Sequence, residues 1–171
     1  MSMTKQEQME QFEILAKPVV KWLKNGAKHI TNKRFGEIGF NMDHIFDNEY
    51  RFDYKGDKCN TVMCVAGAIG FFNYKSEILK PHFKEYVKKY EPRGNVNYYT
   101  LKTESKEFAI YNTHDILFGL FPDLNYDLDS LFFQYNSFNV GYSSVTPDDA
   151  LKALKNFLKK GVVDWTRVKN R

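Results

Sequence analysis

Cysteine is almost missing from this chain: two occur in 171 residues, Cys59 and Cys64. So sparse a pair builds no disulfide framework, and both are read as thiols in a reducing compartment. Long hydrophobic runs are missing too. No stretch approaches the roughly 18 apolar residues that would span a bilayer, so no membrane partner is expected. The opening Met1-Ser-Met-Thr-Lys-Gln-Glu-Gln lacks the apolar centre of a secretory signal, and the expected location is the cytoplasm. Phosphate-loop and dinucleotide fingerprints are absent, because Gly67 and Gly70 fall inside an expected helix and not between a strand and a helix. Nor does one sign of charge prevail: 25 basic residues face 21 acidic ones, for a net charge of +4. Lys84, Lys88 and Lys89 alternate with Glu85 and Glu91 as on an ordinary solvated helix face, so nucleic acid is not favoured as a partner.

What is present describes one globular domain over residues 1–171. A chain of this length buries roughly 70% of its extended surface, enough for a core without metal or disulfide staples. Aromatic residues are in surplus, with fifteen Phe, eleven Tyr and two Trp. Twenty of the 25 basic residues are Lys, and Asn, Ile, Phe and Tyr outnumber Ala. That composition is typical of AT-rich coding sequence and hints at an AT-rich bacterium or a bacteriophage, in which case the location is the host cytoplasm.

Periodicity predicts a mainly α domain of about five to six helices around a buried central helix, with minor short strands and an α+β arrangement as the variant. Met9, Phe12, Leu15, Val19 and Leu23 recur at helical spacing between Thr4 and about Asn25. Pro18 is expected to kink this helix or split it into two short ones, and Gly26 to end it. Residues 28–58 read as an irregular excursion, with short strands near Ile38 to Met42 and Tyr50 to Tyr54. Asn60 or Thr61 can cap the central helix, which runs to about Asn73 and carries Ala66, Gly67 and Gly70 where another backbone can approach. Further helices follow from Ser76 or Pro81 to Tyr90, from Ser105 to Gly119 or Pro122, and in a short element from Asp127 to Phe133. The clearest is last. Thr146 is its cap, Pro147 its first residue, and Asp148, Asp149, Lys159 and Lys160 complement its dipole before Gly161. Val162 to Trp165 then fold back as an extended tail.

Cys59, placed where the chain enters the buried helix, is the candidate nucleophile, since unpaired amides there would favour a thiolate. Its general base would be His44, His82 or His114, with His114 chosen for a cysteine-dependent hydrolase or transferase. Simple packing of a small buried thiol is the other reading. Zinc finds weak support: Cys59 and Cys64 are spaced C-x4-C, and the four histidines form no H-x3-5-H pair. No metal or other cofactor is expected. The aromatic surplus suggests binding. Tyr126, Phe132, Phe133, Tyr135, Phe138 and Tyr142 crowd one Asn/Ser/Gly-rich segment, and Tyr98 and Tyr99 lie between Arg93 and Lys102. Tyrosine among small polar residues gives contact area at low entropy cost, and rings beside cations stack bases. The ligand-binding candidates are therefore Tyr98, Tyr99, Arg93, Lys102, Tyr135, Phe138 and Tyr142, set against the reading that half or more of the rings fill the core.

Cys59, Thr61, Cys64 and Gly67 resemble the Cys-Gly-Thr-x-x-Cys-x-x-Gly segment of a family of small, largely uncharacterised phage and bacterial proteins. Phe118-Gly119-Leu120, Leu131-Phe132, Thr146, Ala150 and the closing Gly161, Val163 and Trp165 match further positions loosely, and Asn60 stands where the family has its second-position glycine. The resemblance implies the helical architecture and a phage or bacterial setting, and it names no activity. The expectation is a non-enzymatic intracellular binding protein of the host-takeover or counter-defence kind, occluding a host protein or sequestering a nucleotide-type signal. No oligomeric state follows from the sequence.

Overall fold

A computed structural model describes residues 3–42, 44–47, 52–90, 110, 112–133 and 145–166. Among them run six α-helices, α1 (Lys5–Lys24), α2 (Val65–Asn73), α3 (Leu79–Tyr90), α4 (Thr113–Leu120), α5 (Asn125–Phe132) and α6 (Pro147–Lys160). Four short strands accompany them, β1 (Ile30–Asn32), β2 (Gly36–Phe40), β3 (Phe46–Asp47) and β4 (Thr61–Met63), and a 3-10 turn (Pro122–Leu124) joins α4 to α5. The mainly α architecture is as expected. No described helix is long and apolar enough to cross a membrane.

α1 starts at a capping box, in which the Thr4 hydroxyl accepts from Glu7 N–H and the Glu7 carboxylate accepts from Thr4 N–H. These bonds hold the Glu7 carboxyl below its ordinary range. Pro18 does not split the helix, which runs unbroken through it. Proline deprives the carbonyl four residues earlier of its donor, and here that residue is Ile14, 51% exposed, on the face where water can supply the missing bond. Phe12, Leu15, Val19 and Leu23 face inward as their spacing requires. Phe12 meets Phe121 edge-on at 6.0 Å and Phe157 at 5.4 Å, joining α1 to the end of α4 and to α6.

The excursion after α1 builds a four-stranded sheet in the order β1-β2-β4-β3. β2 lies antiparallel to β1, pairing Ile38 with Ile30, and parallel to β4, pairing Phe40 with Met63. β3 closes the other side of β4, with Phe46 opposite Met63. Beyond it a bridge between Phe52 and Lys58 frames a tight turn.

The central helix is shorter than its sequence suggests. Thr61 to Met63, expected as its first turn, are strand β4, and α2 begins at Val65 with Cys64 as its N-cap. Both edges of these residues find strand partners, and Thr61 Oγ1 donates to Phe35 O at 2.9 Å, so ladder pairing outcompetes the extra helical turn. Asn60, outside the helix, instead turns its side chain over Gly36 and accepts from Glu37 N–H at 3.0 Å. α2 itself is central and buried as expected. A Cβ on Gly67 would lie 1.5 Å from Ile45 O, and one on Gly70 would lie 1.9 Å from Thr113 Oγ1, so both glycines admit close neighbours. Asn73 Nδ2 donates to Leu15 O and to Ile69 O, tying the end of α2 to α1.

α6 carries the capping box of Thr146 and Asp149, Pro147 in its first turn and Gly161 in the left-handed conformation that glycine tolerates best. The tail folds back as predicted. Trp165 is buried, and its Nε1 donates to Ser130 O at 2.8 Å.

Candidate functional site

Cys59 does not stand at a helix start. It precedes β4 in a cluster that three segments build around Gly39, where an added Cβ would lie 2.9 Å from Asp53 Cβ, 3.2 Å from His29 Nε2 and 3.3 Å from Cys59 Sγ. His29, absent from the expected partners, thus shares this cluster with the thiol. His29 Nε2 donates to Asp53 Oδ2 at 2.9 Å. The other Asp53 oxygen accepts from Lys55 N–H and Asp57 N–H, each at 2.9 Å. One carboxylate oxygen therefore holds the turn and the other ties it to His29 just before β1, a structural duty that accounts for the burial of Asp53.

The thiol is not activated there. Cys59 is 3% exposed, and burial pushes its pKa up, the Asp53 charge adding to the rise against the amides of Gly39 and Thr61. Cys64, also buried, is pushed up to about 11 by loss of solvent, against the amides of Gly67 and Ala66 at the start of α2. The dipole argument made for Cys59 thus belongs by position to Cys64, where burial outweighs it. Among the described residues no three His, Cys, Asp or Glu side chains gather as a metal ion would require.

His114 sits elsewhere, at the start of α4. Its ring packs edge-on against Phe133 at 5.5 Å and Phe118 at 6.1 Å, and Nε2 lies 3.2 Å from Asp115 Oδ1. His44 Nδ1 is 2.9 Å from Asp47 Oδ2 beside β3. His82 lines an open groove between α3 and α4.

That groove has a volume of about 550 Å³ and is walled by His82, Glu85, Tyr86 and Lys89 from α3 and by Asp115, Ile116, Gly119 and Leu120 from α4. Its size falls within the range of small-molecule sites. The α3 residues recur at intervals of three, four and seven, which places them along one helix face. Ser76 starts this helix by accepting Leu79 N–H on its hydroxyl. Tyr86 O–H donates across the groove to Asp115 Oδ2 at 3.1 Å, so the Asp115 carboxylate is held by Tyr86 on one oxygen and faces His114 on the other. Gly119 is unlike the glycines of α2, because no described atom lies within 4 Å of its would-be Cβ. A helical glycine costs about 1 kcal/mol relative to alanine, and no described neighbour requires one here. The space it leaves open belongs to the groove.

Tyr98, Tyr99, Arg93, Lys102, Tyr135, Phe138 and Tyr142 lie outside the described residues. Of the other rings in the Asn-rich aromatic segment, Phe132 belongs to the core and Tyr126, on α5, is 76% exposed. The regular spacing of His82, Glu85, Tyr86 and Lys89 was legible in the sequence as a helix face, but not its pairing with α4. No family model, no curated protein and no solved structure matches the chain.

Proposed function

We propose that the protein is a non-enzymatic binding protein of the cytoplasm, and that it binds through the groove between α3 and α4. One observation carries this reading: side chains of both signs line an open groove together with Tyr86 and Leu120, and Gly119 leaves room there that no described residue fills. Of the two expected tasks, sequestering a nucleotide-type signal suits a groove of this size better than occluding a host protein. The phage-type host-takeover or counter-defence setting rests on composition and on the resemblance of the Cys59 to Gly67 segment. Calorimetric titration against a panel of nucleotides and of fractionated host protein should give saturable heat with at least one of them. Silence across the whole panel would remove the proposal.

The cysteine-dependent reading draws support from the closeness of His29 and Asp53 to Cys59. Against it stand a raised thiol pKa and an Asp53 carboxylate already engaged by two turn amides. Cys59 and Cys64 should both react with iodoacetamide at pH 7.5 far more slowly than a free thiol, and both fully in urea. Rapid labelling of native Cys59 alone would restore the catalytic reading.

A further inference from the structure

We infer that the second half of α1 is a docking surface for a nucleic acid duplex, held by its phosphate backbone without regard to base sequence. This surface shares no residue with the groove between α3 and α4. On α3 lysine alternates with glutamate, but from Lys17 to Gly36 the chain carries six basic residues, Lys17, Lys21, Lys24, Lys28, Lys33 and Arg34, and no acidic one. All six are exposed. Because α1 runs unbroken through Pro18, Lys17, Lys21 and Lys24 stay on one stripe, within about 60° of arc and about 5 Å apart along the axis. Lys28 belongs to the same end of the helix, since its carbonyl accepts from Trp22 Nε1 at 2.9 Å.

Among the described residues, Lys5 pairs with Asp127 and Lys152 with Asp148, whereas no carboxylate lies within ion-pair distance of Lys17, Lys21, Lys24 or Lys28. Glu10 and Glu13 bound the row toward the helix start, and Glu37, on β2, lies 4.0 Å from His29 Nδ1. A row of like charges left without partners favours a polyanion, whose condensed counterions are released as the lysines replace them. Its surroundings select the kind of polyanion. The rings of this stretch, Trp22 and Phe35, are buried, so no aromatic face is offered to unpaired bases. A duplex, with its bases already stacked, needs none. Ile14 is the one large apolar side chain exposed on α1 among the described residues, too little to seat the helix in acyl chains.

The test follows the anisotropy of a fluorescent DNA duplex of about two helical turns as the full chain is added at rising salt. Four phosphate contacts predict a loss of about a hundredfold in affinity between about 50 and 200 mM salt. Lys17→Gln, Lys21→Gln and Lys24→Gln together should weaken binding about tenfold or more at the lower salt and flatten the logarithmic salt slope by about three. Lys17→Arg, Lys21→Arg and Lys24→Arg together should bind as the wild type does, and Lys28→Gln alone should flatten the slope by about one, which keeps the row testable if the triple glutamine variant fails to fold. No binding of the duplex at about 50 mM salt would overturn the inference. So would an equal loss from Lys152→Gln, Lys155→Gln and Lys159→Gln on α6, tighter binding of a single strand than of the duplex, or competition by anionic lipid vesicles as effective, charge for charge, as that by unlabelled duplex.

Discussion

At the scale of single residues, two glycines on helices have opposite reasons to be there. Gly67 faces Ile45 O so closely that an added methyl group would have to move backbone, while Gly119 faces open groove. Gly67→Ala should therefore lose about 3 kcal/mol, the upper part of the usual overpacking range, and Gly119→Ala should gain up to about 1 kcal/mol from helix propensity. Urea midpoints of the two variants test the pair, and equal shifts would refute the contrast. Cys64 supplies a pH dependence. Its folded pKa of about 11 lies above that of an unfolded thiol, so the unfolded chain loses the proton first. Stability from this source is complete below about pH 8.5, the free-thiol value, and falls as pH rises toward the folded value. Cys64→Ala should flatten the decline in urea midpoint measured across that window.

Helices mark their own ends in this chain to very different degrees. α6 has every local signal, from the Thr146–Asp149 box to Gly161, and its predicted limits coincide with the observed ones. Thr146→Ala removes the side-chain acceptor of Asp149 N–H and leaves the buried Asp149 with less to bond. The expected loss is about 1 kcal/mol, read from the thermal midpoint, with Thr146→Ser recovering most of it. α2 has no comparable start signal: Cys64 caps it without a side-chain hydrogen bond. Its N-terminal boundary was set by β2 and β3 claiming Thr61 to Met63, strands that lie many residues away along the chain. At Pro18 the helix does not split, and the carbonyl that loses its donor belongs to the exposed Ile14.

Across the whole molecule, α1 is the element that the rest assembles upon. It packs against α2 and α6, and its Gln8 side chain bonds to Asp123 through both amide atoms, pinning the turn before α5. Phe12 sits where these contacts meet. Phe12→Ala should cost about 3–5 kcal/mol, as for other buried aromatic truncations. The urea midpoint should fall with little change in slope if the domain unfolds as one unit. A second transition confined to the sheet would contradict that cooperativity.

By itself the sequence determined the helical class, the core-facing stripes of α1 and α6, the cap at Thr146, and the thiol state of two cysteines. Each of these depends on energies exchanged within about one helical turn, where spacing and side-chain type suffice. The aromatic surplus was legible only as a quantity; that Phe12, Phe40, Phe121, Phe132 and Phe157 lie at the centre of the core is a matter of which faces meet. Tertiary structure alone decided that Thr61 to Met63 are a strand, that His29 and Asp53 flank Cys59, and that the α3 face opposes Gly119. Apart from the short step between Asp53 and Cys59, those outcomes pair groups 15 or more residues apart, and the free energy that selects them comes from burial and hydrogen bonding after the chain has closed on itself.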